Sequence, residues 1–93
     1  MSLIPDHIAI TSSAELGAVI RGIRIAAGLT QAATAALCGV SAPFLNGLER
    51  GKPTVRLELV LAVCRGLGIA LVAVLPEPTD LANTPRRVPR RAR

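Results

Sequence analysis

The pattern of apolar and polar positions predicts four short helices between residues 12 and 68. The first is expected at residues 13–27, because apolar side chains recur there at intervals of four, three and four and therefore share one helical face. Ser12 precedes this helix and Glu15 follows three positions later, the spacing of a capping box in which the glutamate bonds back to the serine. The apolar face consists of Leu16, Ile20, Ile23 and Ala27.

Three more helices are expected, at residues 31–38, 42–50 and 55–66. Thr30 and Ser41 precede the second and third helices, where a hydroxyl can accept a hydrogen bond from the first turn. The residues expected to point inward are Val40, Leu45 and Leu48 around the third helix, and Leu57, Val60, Leu61, Cys64 and Leu67 along the fourth.

An apolar run at residues 69–75 is rich in β-branched residues and ends before Pro76, which predicts a β-strand. A single strand leaves its own backbone groups unpaired, so this one needs a partner. A short strand at residues 7–10 could pair with it, but we favour the same strand from a second copy across a two-fold axis. The alternative is that the run continues the fourth helix or packs as an apolar loop. The residues assigned to dimerisation are Ile69, Leu71, Val72, Val74 and Leu75.

Residues 30–51 place two short helices on either side of Gly39, where a left-handed backbone costs little in glycine. Helix, tight turn and helix is the arrangement of a helix-turn-helix, whose second helix lies in the major groove of DNA. The pattern therefore predicts a DNA-binding regulator. An enzyme is the least favoured alternative, because no nucleophile–base pair or carboxylate pair is evident.

The same stretch resembles the Xre or Cro-type helix-turn-helix family. The matching positions are Arg24, Gln31, Ala35, Gly39, Val40, Ser41, Leu45, Glu49 and Gly51. With Leu67, Gly68 and the strand expected after them, the chain resembles the HipB-like branch, whose members are often antitoxins paired with a kinase toxin. The resemblance covers about residues 12–76.

This resemblance implies an all-α, lambda-repressor-like four-helix DNA-binding domain with a C-terminal dimerisation β-strand. An N-terminal arm would occupy residues 1–11, the helix-turn-helix domain 12–68, the strand 69–75 and a disordered basic tail 76–93. The resemblance also implies a half-buried salt bridge between Arg24 and Glu49, whereas two solvated charges would contribute little.

Family members usually read bases with residues that match positions 42, 43, 46 and 47 of this chain. Here only Asn46 can form a bidentate pair, preferably with adenine. Phosphate contacts are expected from Gln31 at the start of a helix, and from Ser41, Arg50 and Lys52, with Arg56 as a further candidate. Phe44 either contacts DNA or belongs to the core. The complete expected DNA-binding set is Gln31, Ser41, Ala42, Pro43, Phe44, Asn46, Gly47, Arg50 and Lys52.

Composition narrows the possible partners. The net charge is +5, and five arginines lie in the last eight residues, so the basic tail supplies the excess charge. Such a tail either contacts a polyanion or is a solubilising terminus. Phe44 is the only aromatic residue, which disfavours nucleic-acid readers that stack bases on aromatic side chains.

Neither a metal nor another cofactor is expected. Cys38, Cys64 and His7 lack the spacing of a metal site, and the resemblance places both cysteines in the core. Thr34 stands where the family usually has leucine, which predicts a weaker core there. No signal peptide or membrane span is evident, so we expect a cytoplasmic protein.

The sequence therefore predicts a homodimeric, sequence-specific transcriptional repressor that binds a two-fold operator in double-stranded DNA. A role as the antitoxin for a HipA-like kinase toxin follows from the resemblance alone. The chief alternative is a protein-interaction module that neutralises a toxin with little base readout, because Ala42, Pro43 and Gly47 offer bases so little. A membrane-surface peptide is disfavoured, because no basic amphipathic helix is present.

Overall fold

The computed structural model describes residues 7–76, and it contains four α-helices joined by short connections. Their bounds are Ser13–Ala26 for α1, Gln31–Cys38 for α2, Ala42–Glu49 for α3 and Leu57–Leu67 for α4. The first residues of the expected arm, 1–6, and nearly all of the expected basic tail, 77–93, lie outside the described residues. Among the helices of the described part, none has the length and apolar character needed to cross a bilayer.

Helix α1 begins with a hydrogen bond from the Glu15 backbone N–H to the Ser12 hydroxyl, at 3.1 Å. The Glu15 carboxylate does not reach Ser12; it accepts hydrogen bonds from the backbone N–H and the hydroxyl of Thr11, at 2.5 and 2.8 Å. The second half of the expected capping box is therefore made one residue earlier than predicted. The helix also ends one residue earlier, since Ala27 is its C-cap.

Side-chain hydroxyls cap both helices of the helix-turn-helix. Thr30 accepts a hydrogen bond from the N–H of Ala33 at 3.0 Å, and Ser41 accepts one from the N–H of Phe44 at 3.1 Å. Between the two helices, Gly39 adopts the left-handed conformation with φ of 74°. Helix α3 ends at Glu49, one residue before its predicted end.

The buried apolar residues come from all four helices and form one core. Its members are Ile20, Ala35, Leu45, Leu48, Val60, Val63 and Cys64. The prediction for α4 was wrong in its bounds and its buried face, and the helix ends at Leu67, one residue later than expected. The helix starts at residue 57, two residues later than expected, and Leu57 is 66% exposed. Val63 is fully buried instead, and Val55 packs against the core from the connection that precedes the helix.

Two glycines allow helices to pack closely. A Cβ atom at Gly17 of α1 would come within 2.7 Å of the backbone carbonyl oxygen of Glu49 in α3. A Cβ atom at Gly66 of α4 would lie against the Cys38 side chain of α2 and 3.2 Å from its Cα. These contacts set the spacing of the α1–α3 and α2–α4 pairs.

No β-strand forms within residues 7–76, so the strands expected at residues 7–10 and 69–75 are absent from this single chain. Gly68 ends α4 with φ of 76°, and the N–H of Ile69 donates to the Cys64 carbonyl at 2.8 Å. Beyond Ile69 the chain is non-helical and its large apolar side chains lie in solvent, with Val74 90% exposed. The prediction that this run forms a strand is not confirmed, because one chain offers its backbone no partner.

Candidate nucleic-acid interface

Except for Gln31, which begins α2, the residues expected to contact DNA lie along α3 and its two flanking connections. Ser41, Ala42 and Pro43 at the start of α3 are exposed, as are Arg50 and Lys52 after it. Pro43 is tolerated there because the first turn of a helix has no internal partner for an N–H group. Phe44, Asn46 and Gly47 are half-buried on the same stretch.

A bidentate ion pair joins α3 to α1. Arg24 Nε and Nη2 lie 2.6 and 2.9 Å from Glu49 Oε2 and Oε1, and the two side chains are 11% and 2% exposed. Arg24 Nη1 also donates to the Leu29 carbonyl at 2.8 Å, in the connection before α2. One guanidinium therefore holds the end of α3, its own helix and the following connection in a fixed relation.

The ion pair determines the charge state of Glu49. Burial alone would raise the pKa of this carboxyl, but hydrogen bonds from Arg24 and Gln31, together with the positive charge of Arg24, hold it below its ordinary value. The hydrogen bond to Glu49 likewise raises the pKa of Arg24. Both groups are charged at neutral pH.

The side chain of Gln31, which the sequence assigns to a phosphate, hydrogen-bonds to two protein groups. Its side-chain Nε2 donates to Glu49 Oε1 at 3.1 Å and to Asn46 Oδ1 at 3.3 Å, so both amide hydrogens have protein acceptors. The side chain therefore has no donor free for a phosphate in this arrangement. The backbone N–H groups of the first turn of α2 remain unpaired within the helix, as at any helix start.

Phe44 is the residue for which the sequence left core and DNA contact open. It packs against the core, yet it also lines a groove of about 250 Å³ between α3 and the connection to α4. The other residues lining the groove are Pro43, Gly47, Lys52, Thr54, Val55 and Arg56. Thr54 and Val55 could not be identified from the sequence, because neither their type nor their spacing indicates a site.

Gly47 is not required by packing. A Cβ atom at this position would meet only the Lys52 side chain, at 3.6 Å, an ordinary van der Waals distance. The glycine therefore leaves the middle of α3 without a side chain on the groove side.

Neither thiol lines the groove beside α3. Cys64 lies in the core, and the half-buried Cys38 places Sγ 3.6 Å from the Val63 carbonyl oxygen. Burial raises the pKa of both thiols, which disfavours the reactive thiolate form.

Comparison with known proteins places this geometry in a family. Residues 15–75 match the family model described as a helix-turn-helix domain. The chain belongs to the helix-turn-helix family of DNA-binding transcriptional regulators. It is similar to the uncharacterised HTH-type transcriptional regulator y4mF of Sinorhizobium fredii, with 36% identity over 67 residues, 72% of this chain and 88% of that protein.

The fold is also similar to solved structures of helix-turn-helix proteins. The restriction-modification controller protein C.AhdI from Aeromonas hydrophila superposes with a TM-score of 0.57 and 33% identity, over 62% of this chain and 88% of its own. HipB, in its complex with HipA, superposes with a TM-score of 0.69 over 76% of this chain and all of its own. At 17% identity, the likeness to HipB shows the fold alone.

Proposed function

We propose that this helix-turn-helix regulator binds operator DNA as a two-fold homodimer through α3 and represses transcription. The observation that carries the proposal is the bidentate Arg24–Glu49 pair, which fixes α3 to the rest of the domain. Pro43 near the start of α3 and the cations Lys52 and Arg56 after the helix line one groove. A helix held in this way can enter the major groove with its side chains already oriented.

Base readout rests on few side chains. Asn46 is the one residue of α3 proposed to hydrogen-bond to a base edge, while Ala42 and Pro43 can contact a thymine methyl group. Ser41, Arg50 and Lys52 are exposed beside them and are assigned to phosphates, with Arg56 as a further candidate. Much of the affinity therefore comes from the DNA backbone, and part of the specificity from DNA shape.

The run at residues 69–75 is assigned to dimerisation. Its support is exposure: Leu71, Val72, Val74 and Leu75 are 48, 78, 90 and 54% exposed in the single chain. Adjacent exposed apolar side chains mark association surfaces. Pairing with the same run of a second copy would cover them, satisfy the backbone and supply the two-fold symmetry that a palindromic operator needs.

The DNA-binding proposal is tested by selecting sequences from a random duplex library and measuring affinities by gel retardation. Asn46→Ala should cost about 1–3 kcal/mol and relax the preference at one base pair in each half-site. Lys52→Ala should weaken all sequences alike and reduce the salt dependence. Half-sites should be separated by about one helical turn. Wild-type protein that selects no sequence from the library would overturn the proposal.

Dimerisation is tested by sedimentation at micromolar concentration. Val72→Pro removes one backbone donor from the run and should give monomers that bind DNA poorly. Val72→Ala is the matched control, since it keeps the donor and shortens the side chain. A wild-type monomer, or a proline variant that remains dimeric, would contradict this assignment.

The second candidate function is a protein-interaction module, and specifically the antitoxin of a HipA-like kinase toxin. It is favoured by the lack of side-chain readers at Ala42, Pro43 and Gly47, and by the fold shared with HipB in its complex with HipA. The test is to identify the product of the adjacent gene and to ask whether it co-purifies with this chain. A kinase-like neighbour that co-purifies with this chain, together with unselective DNA binding, would favour this candidate.

A further inference from the structure

We propose that Gln31 is a positioning residue that sets which base edge Asn46 can read. The inference deepens the proposed function and rests on it. It starts from the two hydrogen bonds of Gln31, which link Asn46 of α3 to the Arg24–Glu49 ion pair. Gln31 thereby acts on DNA through Asn46.

The direction of these hydrogen bonds is fixed by the charge of Glu49. A carboxylate only accepts hydrogen bonds, so it must receive an N–H from Gln31, and the amide nitrogen of Gln31 therefore faces α3. The same nitrogen carries a second hydrogen, and this one points to Asn46 Oδ1 at 3.3 Å. Arg24 holds the carboxylate in place from the other side. The orientation of the Gln31 amide thus follows from a buried ion pair.

The orientation of the Asn46 amide follows in turn. With Oδ1 directed at Gln31, the nitrogen Nδ2 must lie on the opposite side of the amide group. Within residues 7–76, this nitrogen donates to no protein group, and the side chain is half-buried at the surface of α3. The hydrogen-bond donors of Asn46 are therefore the groups that the proposal makes available to a base.

A donor selects base edges that carry acceptors. In the major groove, purines offer the N7 acceptor, and guanine adds O6, whereas cytosine offers only the N4 amino donor. An Asn46 held as a donor should thus accept a purine and reject cytosine at its position. Without Gln31 the amide can rotate by half a turn, present Oδ1 instead, and accept a hydrogen bond from cytosine.

The test uses Gln31→Met, which keeps the length of the side chain but removes both donors. Affinities are measured by gel retardation for two operators that differ only at the base pair mapped by Asn46→Ala. On the strand that Asn46 contacts, one operator has a purine at this position and the other has a cytosine. The wild type should prefer the purine operator, and Gln31→Met should reduce that preference by at least about threefold. Ala32→Met is the matched control, because Ala32 is the exposed neighbour of Gln31 at the start of α2.

A double-mutant cycle separates positioning from a direct contact. If Gln31 acts through Asn46, then Gln31→Met should have no further effect on base preference once Asn46 is alanine. Equal and additive losses on both operators would show a phosphate contact by Gln31 and would overturn the inference. DNA binding that is selective but unchanged in Gln31→Met would overturn it as well. Wild-type protein without sequence selectivity would instead remove the proposed function on which the inference rests.

A measurement without DNA checks the geometry itself. In ¹⁵N-labelled protein, the side-chain amide protons of Gln31 should exchange slowly with solvent, and Asn46→Ala should speed the exchange of one of them. Fast exchange of both protons in the wild type would contradict the hydrogen bonds on which the inference depends.

Discussion

The two helix pairs of this domain, α1–α3 and α2–α4, are held together by different physical means. Between α1 and α3 the contact is directional: Arg24 and Glu49 form two hydrogen bonds at 2.6 and 2.9 Å, beside the close approach at Gly17. Between α2 and α4 the contact is largely apolar, with Cys38 packed against Gly66 and Val63.

One buried polar atom of α2 is not satisfied. Thr34 is fully buried, and its hydroxyl has no hydrogen-bond partner within the described residues. An unpaired buried hydroxyl costs free energy that a pure hydrocarbon side chain would not. This unpaired hydroxyl would account for the weaker core that the sequence predicts at Thr34.

The difference between these two contacts indicates how the domain fixes the orientation of α3. Apolar packing sets the distance between helices but tolerates small rotations, whereas a bidentate ion pair fixes angles as well. The pair that contains α3, the helix proposed to enter DNA, has the directional contact. The α2–α4 pair is held mainly by apolar packing.

The largest effect is expected from breaking the directional contact. Glu49→Gln leaves the buried Arg24 guanidinium without its counter-charge, which should destabilise the domain by about 3–5 kcal/mol in urea unfolding. Glu58→Gln is the matched control: Glu58 pairs with Arg56 in an exposed ion pair, so the change should cost no more than about 1 kcal/mol. Equal losses would mean that the buried pair adds no special stability.

The Arg24–Glu49 pair also predicts that the stability of the domain depends on pH. The folded state holds the pKa of Glu49 below its unfolded value, so the pair contributes its full stability above the unfolded pKa, about 4.3. That contribution should be lost as the pH falls through the folded pKa. Unfolding curves from pH 7 to pH 3 should show a smaller acid-side loss in Glu49→Gln than in the wild type.

The two glycine contacts should respond unequally to a methyl group. In Gly17→Ala the new Cβ meets backbone carbonyl groups of α3, which cannot move away separately, so the loss should reach about 3 kcal/mol. In Gly66→Ala the nearest atom belongs to the Cys38 side chain, which can give way, and alanine also favours a helix. If Gly66→Ala lowered the free energy of unfolding more than Gly17→Ala, the α1–α3 contact would not be the less tolerant of the two.

The smallest effect, and the only stabilising one, is expected at Thr34. Thr34→Val keeps the shape of the side chain but removes the unpaired hydroxyl, which should raise the free energy of unfolding by about 1–2 kcal/mol. Thr30→Val, which removes a hydroxyl that caps α2, is the matched control and should lower it by about 1 kcal/mol. Loss of stability in Thr34→Val would show that the hydroxyl has a partner.

Much of the helix-turn-helix could be read from local signals. Ser12, Thr30 and Ser41 cap their helices as the residue types predict, and Gly39 takes the left-handed turn between α2 and α3. These signals act within a few residues of one another, so a single sequence contains them. The family also followed from residues at fixed spacing within this stretch.

Other features depended on contacts between distant residues. The exposed Leu57 and the buried Val63 could not be told apart by periodicity, because the start of α4 and the packing of Val55 decide which of them faces the core. The position of the Gln31 side-chain amide also depends on distant residues, since its partners Asn46 and Glu49 lie 15 and 18 residues away.

The sequence by itself therefore determined the helices, their caps, the glycine turn and the family, because these depend on local backbone preferences and on fixed spacings. The family resemblance also implied the Arg24–Glu49 pair, but the tertiary structure decided its two-point geometry and placed the Gln31 amide between Glu49 and Asn46. Hydrogen bonds depend on distance and angle within tenths of an ångström, and only the packed arrangement of the helices fixes those.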